Sequence, residues 1–509
     1  MVIILVVSVN YSLILLLRQN KSAKLIQEVL GYGKAFSQSI GHHFTDKTIR
    51  LSALTGAAAT EIGGETAATE FRLKKTITHD DIEDFQDTRL NVVDEISFAC
   101  HDTVLTKLSD NLQELTECRD FQFGKTPIVF LGDFCQLEAI GISIYQCENS
   151  IYWEQALTHM VELSGKHRYR NCPSFQRIMP TVRDNTLTAE DRAILNSRVI
   201  GSVDSNGKIL EMPDMAKTKF ATYHNKNRCE INRHVFLEYL QQHHVSCNKH
   251  NIPKSAVVIK TNARWATNNQ PLTFDQRKKL FENCTEADVM DSYRKRADPM
   301  LCLISNCYMM GNKNEDVKNG VANGTTSLFQ KIILKAGKKP YPMQLHGYWV
   351  YAVEIDDVDH LLLRWHESKF QGTFKVFPAQ GVYRVRFVIE EFGRKMVLRP
   401  QMRLSVFPVV INHATTGHKL QGKSLDELVI AEWSAVKNWV YVVLSRVRKL
   451  EGLFLTSPIP DDIDFAPAEK YLEMMIRLRN TILSTPDQVA MLYEQLRNEI
   501  KNSNNDVNF

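Results

Sequence analysis

The sequence has no Gly-x-x-x-x-Gly-Lys-Ser/Thr loop, no Cys-x-x-Cys pair, no internal repeat and almost no charge imbalance. Structural zinc relies on closely spaced cysteine pairs, and the ten cysteines (100, 118, 135, 147, 172, 229, 247, 284, 302 and 307) are scattered, so a zinc-built domain is discounted. They read as free thiols of a reducing compartment. A net charge of +4 over 509 residues excludes a bulk polycation. Any contact with a polyanion must come from local grouping of charge. Long apolar runs are also scarce. The stretch Met1–Leu17, broken by Ser8, Asn10, Tyr11 and Ser12, comes near the roughly 17-residue minimum for a spanning helix. It has no basic segment before it and no small-residue cleavage site. The preferred reading is a buried parallel strand, Leu13–Leu17. A membrane anchor is the second reading, and a damaged or misassembled N-terminus the third.

What is present is ordinary globular material, 44% hydrophobic and 24% charged, in a chain long enough for three or four domains. Up to residue 160, apolar runs alternate with helical patterns. Arg50–Leu54, Leu90–Val93 and Ile128–Leu131 are strand candidates ending in polar or glycine-containing turns, as a parallel α/β sheet presents its ligand edge. Thr103–Leu115 carries a helical stripe. A second α/β region opens near 161, with a strand at Lys219–Thr222 and a helix at Asn227–Leu240. From 297 to 403 the pattern shifts to period two with Asn-Gly turns, which predicts a small inserted β-barrel. The α/β pattern resumes over 404–460 with Val409–Ile411 and Leu428–Ile430. A helical tail over 461–509 has a Thr485-Pro486 start, and its last residues read as disordered.

Four segments carry chemistry. Val92-Val93-Asp94-Glu95 is an apolar strand ending in two acids, one suited to hold Mg²⁺ and one to orient and deprotonate water. Gly132-Asp133-Phe134-Cys135-Gln136-Leu137 places an amide, Gln136, after a second strand, where it can touch a γ-phosphate and its attacking water. His167-Arg168-Tyr169-Arg170 and Leu444-Ser445-Arg446-Val447-Arg448 supply arginines able to stabilise phosphoryl-transfer charge. Each has a plainer reading as a solvated strand end, a turn glutamine or a surface arginine. Their order along one chain favours the chemical one.

Together these segments resemble the petite-integration-frequency (Pif-type) DNA helicases, RecD-like members of helicase superfamily one, over residues 50–457. Thr55-Gly56-Ala57-Ala58-Ala59 with Gly63-Gly64-Glu65-Thr66 resembles the DNA-contacting motif pair of that family. Asp94-Glu95-Ile96-Ser97 resembles its metal and water-activating motif, and Gly132–Leu137 its glutamine sensor. Arg168 falls on the fourth-motif arginine, and Ala221-Thr222 with Ile231-Asn232 on the start of the second lobe. Ala414–Leu425, with Thr416, His418, Gln421 and Gly422, matches motif five. Tyr441–Val447, with Arg446 as arginine finger, matches motif six. The resemblance implies an α/β fold of two RecA-like P-loop NTPase lobes with ATP between them and a β-barrel inserted in the second. It further implies Mg²⁺ and ATP, single-stranded and duplex DNA as partners, and 5′-to-3′ unwinding. Roles in repair, recombination or telomere maintenance follow, with the nucleus as location and the mitochondrion as second choice. No stable protein partner is implied.

Lys21 and Ser22 match the family's phosphate-binding lysine and magnesium hydroxyl, but Leu15 and Asn20 stand where its loop has glycines. Side chains there obstruct the approach of backbone N–H groups to phosphate oxygens. Ala68 replaces a usual histidine, and Glu138-Ala139 replace two usual prolines. A second function therefore stays open: a nucleic-acid-binding pseudo-helicase, or a truncated or mobile-element-derived copy, with impaired ATP binding.

Overall fold

The computed structural model describes residues 2–7, 45, 47–100, 104–124, 126–138, 143–146, 154–163, 167–204, 206–243, 249, 251–292, 295–366, 370–391, 394–463 and 466–482. The chain divides into two compact units. The first comprises Met1–Leu187, Ala435–Val442 and Asp464–Phe509, and the second Thr188–Ser434 and Val443–Ile463. Residues 161–187, expected to open the second lobe, are grouped with the first unit and take Arg168 with them.

The first unit is built on six strands: β1 (Val2–Val7), β2 (Ile49–Ala53), β3 (Glu65–Thr66), β4 (Leu90–Asp94), β5 (Ile128–Gly132) and β6 (His159–Leu163). They lie in the order β3-β2-β4-β5-β1-β6. The pairs β2–β3, β2–β4 and β4–β5 are parallel. Every residue of β4 and β5 is buried; β5 reads as a continuous apolar run, and β4 as an apolar strand interrupted by Asn91 and ended by Asp94. The strand between β5 and β6 is a departure. It is Val2–Val7 rather than Leu13–Leu17, and it runs antiparallel to both neighbours, with Ile3 opposite Gly132 and Val7 opposite Ile128. Residues 13–17 lie outside the described set.

Helices flank this sheet for local reasons. Thr55 caps α1 (Gly56–Ile62) by accepting from the Ala58 N–H, and Gly63 ends it at φ 76°. Thr78 and Asp81 form a reciprocal capping box at the start of α2 (His79–Phe85). In α3 (Thr106–Leu115), Leu108, Leu112 and Leu115 face the core, and buried Asn111 donates to the Phe71 carbonyl at 2.7 Å. Pro173 opens α4 (Pro173–Arg183). The helix Glu469–Ile482 returns to this unit and inserts Tyr471, Met474, Met475 and Leu478, one helical stripe, into the core with Phe130 and Phe134. The expected helix start at Thr485-Pro486 lies outside the described residues, as does the chain beyond it.

The second unit contains an all-parallel sheet of β7 (Lys219–Thr222), β8 (Ala414–Thr416), β9 (Leu428–Ile430) and β10 (Leu453–Leu455), ordered β8-β7-β9-β10. Helix α5 (Asn225–Gln242) follows β7. Its Asn232 accepts from the Ala414 N–H at 2.7 Å and donates to the Ile411 carbonyl at 3.0 Å, tying the helix to the edge strand β8. Between β7 and β8 the chain is β-rich, as expected, but it begins earlier, at Ala256, and its strands make separate open sheets. Among the described residues no ladder closes them into a barrel. No helix among them is long and apolar enough to cross a membrane.

Candidate functional site

Two groups of site residues are described, one in each unit. In the first, β4 and β5 run side by side and release Asp94 and Gly132 at the same edge of the sheet. Gly132 is required there. A Cβ on it would meet Ile96 Cγ2 at 2.9 Å and the Ser97 nitrogen at 3.2 Å, so only glycine lets the two strand ends approach. Directly after Asp94, Glu95 takes a left-handed backbone, φ 57° and ψ 40°, before the single turn Ile96–Phe98. A non-glycine residue in this region is strained and points to a functional constraint. Its half-buried side chain thereby leaves the strand's alternation.

Burial pushes the Asp94 carboxyl up to about 6, against the opposing pull of the Glu95 N–H that donates to Oδ1 at 2.9 Å. Asp133, also buried, accepts from the Cys135 N–H at 3.0 Å and from Gln136 Nε2 at 3.2 Å. The Gln136 amide is thus oriented: its nitrogen is committed to Asp133, and its buried Oε1 has no partner among the described residues. Ser97 Oγ is likewise buried without one. An unpaired buried acceptor beside a buried carboxyl is a site short of donors or cations. This acidic half fits a divalent cation and a hydrogen-bonded water. Lys21 and Ser22, the expected phosphate and magnesium ligands, lie outside the described residues, as do Leu15 and Asn20. Among the described residues no cluster of three His, Cys, Asp or Glu side chains is placed to hold a metal.

The expected DNA-contacting residues surround the neighbouring strand β2. The Leu54 N–H donates to the Asp94 carbonyl at 3.1 Å, which sets Thr55 and Gly56 at the same edge as the acids. Gly64 opens β3 so closely against β2 that a Cβ would overlap the Leu51 carbonyl. Thr66 accepts from the Thr69 N–H at 3.3 Å, capping a short helix. Arg168 sits half-buried on the turn His167–Tyr169, after β6.

Asn438 was not anticipated. At φ 66° it donates from Nδ2 to the Gln136 carbonyl at 2.9 Å. An asparagine just before an apolar helix was the available signal, and asparagine tolerates the left-handed region. The role of Asp133 was missed as well, although the residue lies inside the Gly132–Leu137 motif.

In the second unit, Thr416 ends β8 and His418 lies on the turn Gly417–Leu420. Gln421 and Gly422 follow, the latter at φ 78°. Arg446, 1% exposed, donates from Nη1 to the carbonyls of Leu420 and Lys423, each at 3.4 Å, and from Nη2 to Ser445 Oγ at 2.6 Å. Its guanidinium therefore braces the very turn that carries Gln421 and Gly422. Beside it, burial and the Lys423 charge bring the Lys419 ammonium down to about 8, and its Nζ donates to Asn323 Oδ1 at 2.7 Å.

No sequence-family model matches the chain, and no curated protein does. Solved structures do. The Bacteroides Pif1 helicase in complex with ADP-AlF3 and ssDNA superposes with a TM-score of 0.57 at 17% identity, covering 90% of each chain. Bacteroides Pif1 bound to ssDNA gives 0.56 at 17%, covering 89% of this chain and 91% of that one. Pif1 helicase from Candida albicans gives 0.54 at 18%, covering 90% and 94%. The chain shares the fold of these proteins.

Proposed function

We propose that the protein is an ATP-dependent DNA helicase that moves 5′ to 3′ on single-stranded DNA and unwinds duplex ahead of it. The observation that carries this reading is the edge shared by β4 and β5: a buried Asp94, a strained Glu95 and a Gln136 whose Oε1 is free to accept from water. In this reading Asp94 takes the magnesium of MgATP, and Glu95 removes a proton from the attacking water. Gln136 Oε1 holds that water, with Nε2 fixed by Asp133. Thr55, Gly56, Gly64, Thr66, Thr416 and His418 would contact the DNA strand. A role in repair, recombination or telomere maintenance in the nucleus accompanies the proposal. The test is single-strand-stimulated ATP hydrolysis and duplex unwinding with and without Glu95→Gln. The variant is expected to lose at least about 10²-fold in hydrolysis, the lower end for a positioned base, while DNA binding persists. Equal rates in both proteins would reject the assignment.

One observation favours the second reading, a nucleic-acid-binding pseudo-helicase. Because β1 is antiparallel, the chain leaves it at Val7, beside Ile128, on the sheet edge opposite Asp94 and Gly132. A phosphate loop normally follows a strand out of the same edge as its parallel neighbours. Titration with labelled ATP separates the two readings: micromolar binding removes the pseudo-helicase, and no binding at millimolar ATP removes the enzyme.

A further inference from the structure

In the β-rich part of the second unit, Val289–Asp291, Ala379–Val385, Gln401–Val406 and Ala263–Trp265 form one antiparallel sheet in that order. Its two faces differ sharply in chemistry. Val289, Val385, Met402 and Leu404 are buried in one apolar cluster, with Tyr383 and Trp265 packed against it. Side chains alternate along strands, so Gln380, Val382, Arg384, Gln401, Arg403 and Arg264 belong to the opposite face. Val382, Arg403 and Arg264 stand in one cross-strand row, and Arg384 with Gln401 in the next. Arg264, Arg384 and Arg403 are all exposed. Arg296 joins this face through its bridge to Met290, the residue opposite Arg384.

Among the described residues, nothing on the sheet neutralises these guanidinium groups. The acid of the four strands, Asp291, is in register with Tyr383 and so belongs to the inner face. Arg264 donates to the Asn269 carbonyl at 3.3 Å, not to a carboxylate. Like charges directly opposite each other, as Arg403 and Arg264 are, destabilise a sheet unless an anion lies across them. The flanking glutamines add amide donors suited to phosphate oxygens. Single-strand binding grooves combine positive charge with aromatic rings on which bases stack. Here both aromatic side chains of the four strands are turned inward, and the outer face offers charge and amides beside Val382 and Met290, with no ring on which a base could stack. That suits a double helix, whose outside is a surface of phosphates.

We propose that this arginine face binds the phosphate backbone of duplex DNA, as a site separate from the one that holds the translocating strand. The inference rests on the nucleic-acid reading above, and the test keeps the two apart. Anisotropy of a labelled 20-base-pair blunt duplex and of labelled oligo-dT is measured over a salt series, for the wild type and for Arg264→Gln/Arg384→Gln/Arg403→Gln. The duplex affinity of the triple variant is expected to fall at least about 10-fold, and its slope against log salt to shrink by roughly 2 to 3 for three lost phosphate contacts. Its oligo-dT affinity stays unchanged. The corresponding triple Arg→Lys variant keeps most of the duplex affinity, which ties the loss to charge; if the glutamine variant does not fold, each single Arg→Gln is expected to reduce the salt slope by about 0.9. An unchanged duplex affinity and slope would overturn the proposal, as would equal losses on duplex and oligo-dT. A wild type that binds oligo-dT but not duplex overturns this proposal alone, whereas one that binds neither also overturns the functional reading.

Discussion

Asp94 holds a carboxyl where water is excluded, and in the absence of a cation that position opposes folding. A rise from the ordinary 3.8 to about 6 corresponds to roughly 3 kcal/mol. The sign follows from proton binding. Between pH 4 and 6 the folded state holds this proton more tightly than the unfolded chain, so the group favours folding at low pH. That contribution is lost as pH rises from about 4 through about 6. Asp94→Asn is therefore expected to raise stability against urea by up to ~3 kcal/mol at pH 7.5, and by about a third as much at pH 4.5. The same substitution should weaken magnesium-dependent nucleotide binding. Equal urea midpoints for both proteins at pH 7.5 would mean that the carboxylate is already compensated. Gly132 makes a second residue-level case. Gly132→Ala puts a methyl 2.9 Å from Ile96 Cγ2, at the tightest point between the two strand ends. Overpacking there is expected to cost about 1–3 kcal/mol, read as a lowered urea midpoint. Hydrolysis should fall by more than that stability loss explains, because Glu95 rides on the same turn.

At the scale of elements, Asn232 shows a motif residue holding backbone in place. It pairs the Ala414 N–H and the Ile411 carbonyl, both buried, from a helix lying on the edge strand β8. Asn232→Ala leaves both groups unsatisfied, and at about 1–3 kcal/mol for each such group the second unit should lose about 2–6 kcal/mol in chemical denaturation. A loss under about 0.5 kcal/mol would mean that water replaces the amide. The sequence pattern found the bounds of Lys219–Thr222, Val409–Ile411 and Leu428–Ile430 to the residue, and those of β4 and β5 to within one residue, because strands buried on both faces are mostly apolar, with Lys219, Thr222 and Asn91 as buried polar exceptions. Val409–Ile411, expected to resume the α/β pattern, instead pairs antiparallel with Met309–Gly311 in the β-rich part. The pattern could not find β1. Val2–Val7 and Leu13–Leu17 are equally apolar, and period and composition carry no information on strand direction or partner. Closure of the β-rich insertion was equally illegible, since alternation specifies a face and not which edges meet. Of the site, the acids and Gln136 were legible as types at strand ends. Their orientation by Asp133 and Asn438 was not, because it depends on a turn and on a residue roughly 300 positions away in sequence.

For the molecule as a whole, the decisive question is whether nucleotide and DNA chemistry are still joined. The first unit supplies Glu95 on a left-handed backbone, the buried Asp94 carboxyl and an oriented Gln136 amide. The sequence supplies Lys21 and Ser22 without the glycines that let backbone donors surround a phosphate. Losing one preorganised donor can cost roughly 10²–10³ in rate, and a phosphate loop contributes several. DNA contact has no such dependence, since backbone neutralisation needs charge and amides on a formed surface, not hydrolysis. The two proposed readings part here: in an ATP-driven helicase nucleotide and DNA binding stay coupled, and in a pseudo-helicase they separate. On the pseudo-helicase reading, single-strand affinity measured without nucleotide follows a steep salt dependence and stays within about twofold when saturating MgATP is added, whereas the helicase reading expects the ~5- to 150-fold change that coupled sites show. Leu15→Gly/Asn20→Gly, which gives the backbone room at both loop positions, is then expected to tighten labelled-ATP binding at least about 10-fold and to restore nucleotide-dependent DNA affinity. If the wild type already couples the two ligands, the glycines were dispensable and the altered loop holds phosphate through other donors. If the double variant gains no ATP affinity, the obstruction lies in the reversed strand β1, and no substitution confined to residues 15 and 20 will repair it.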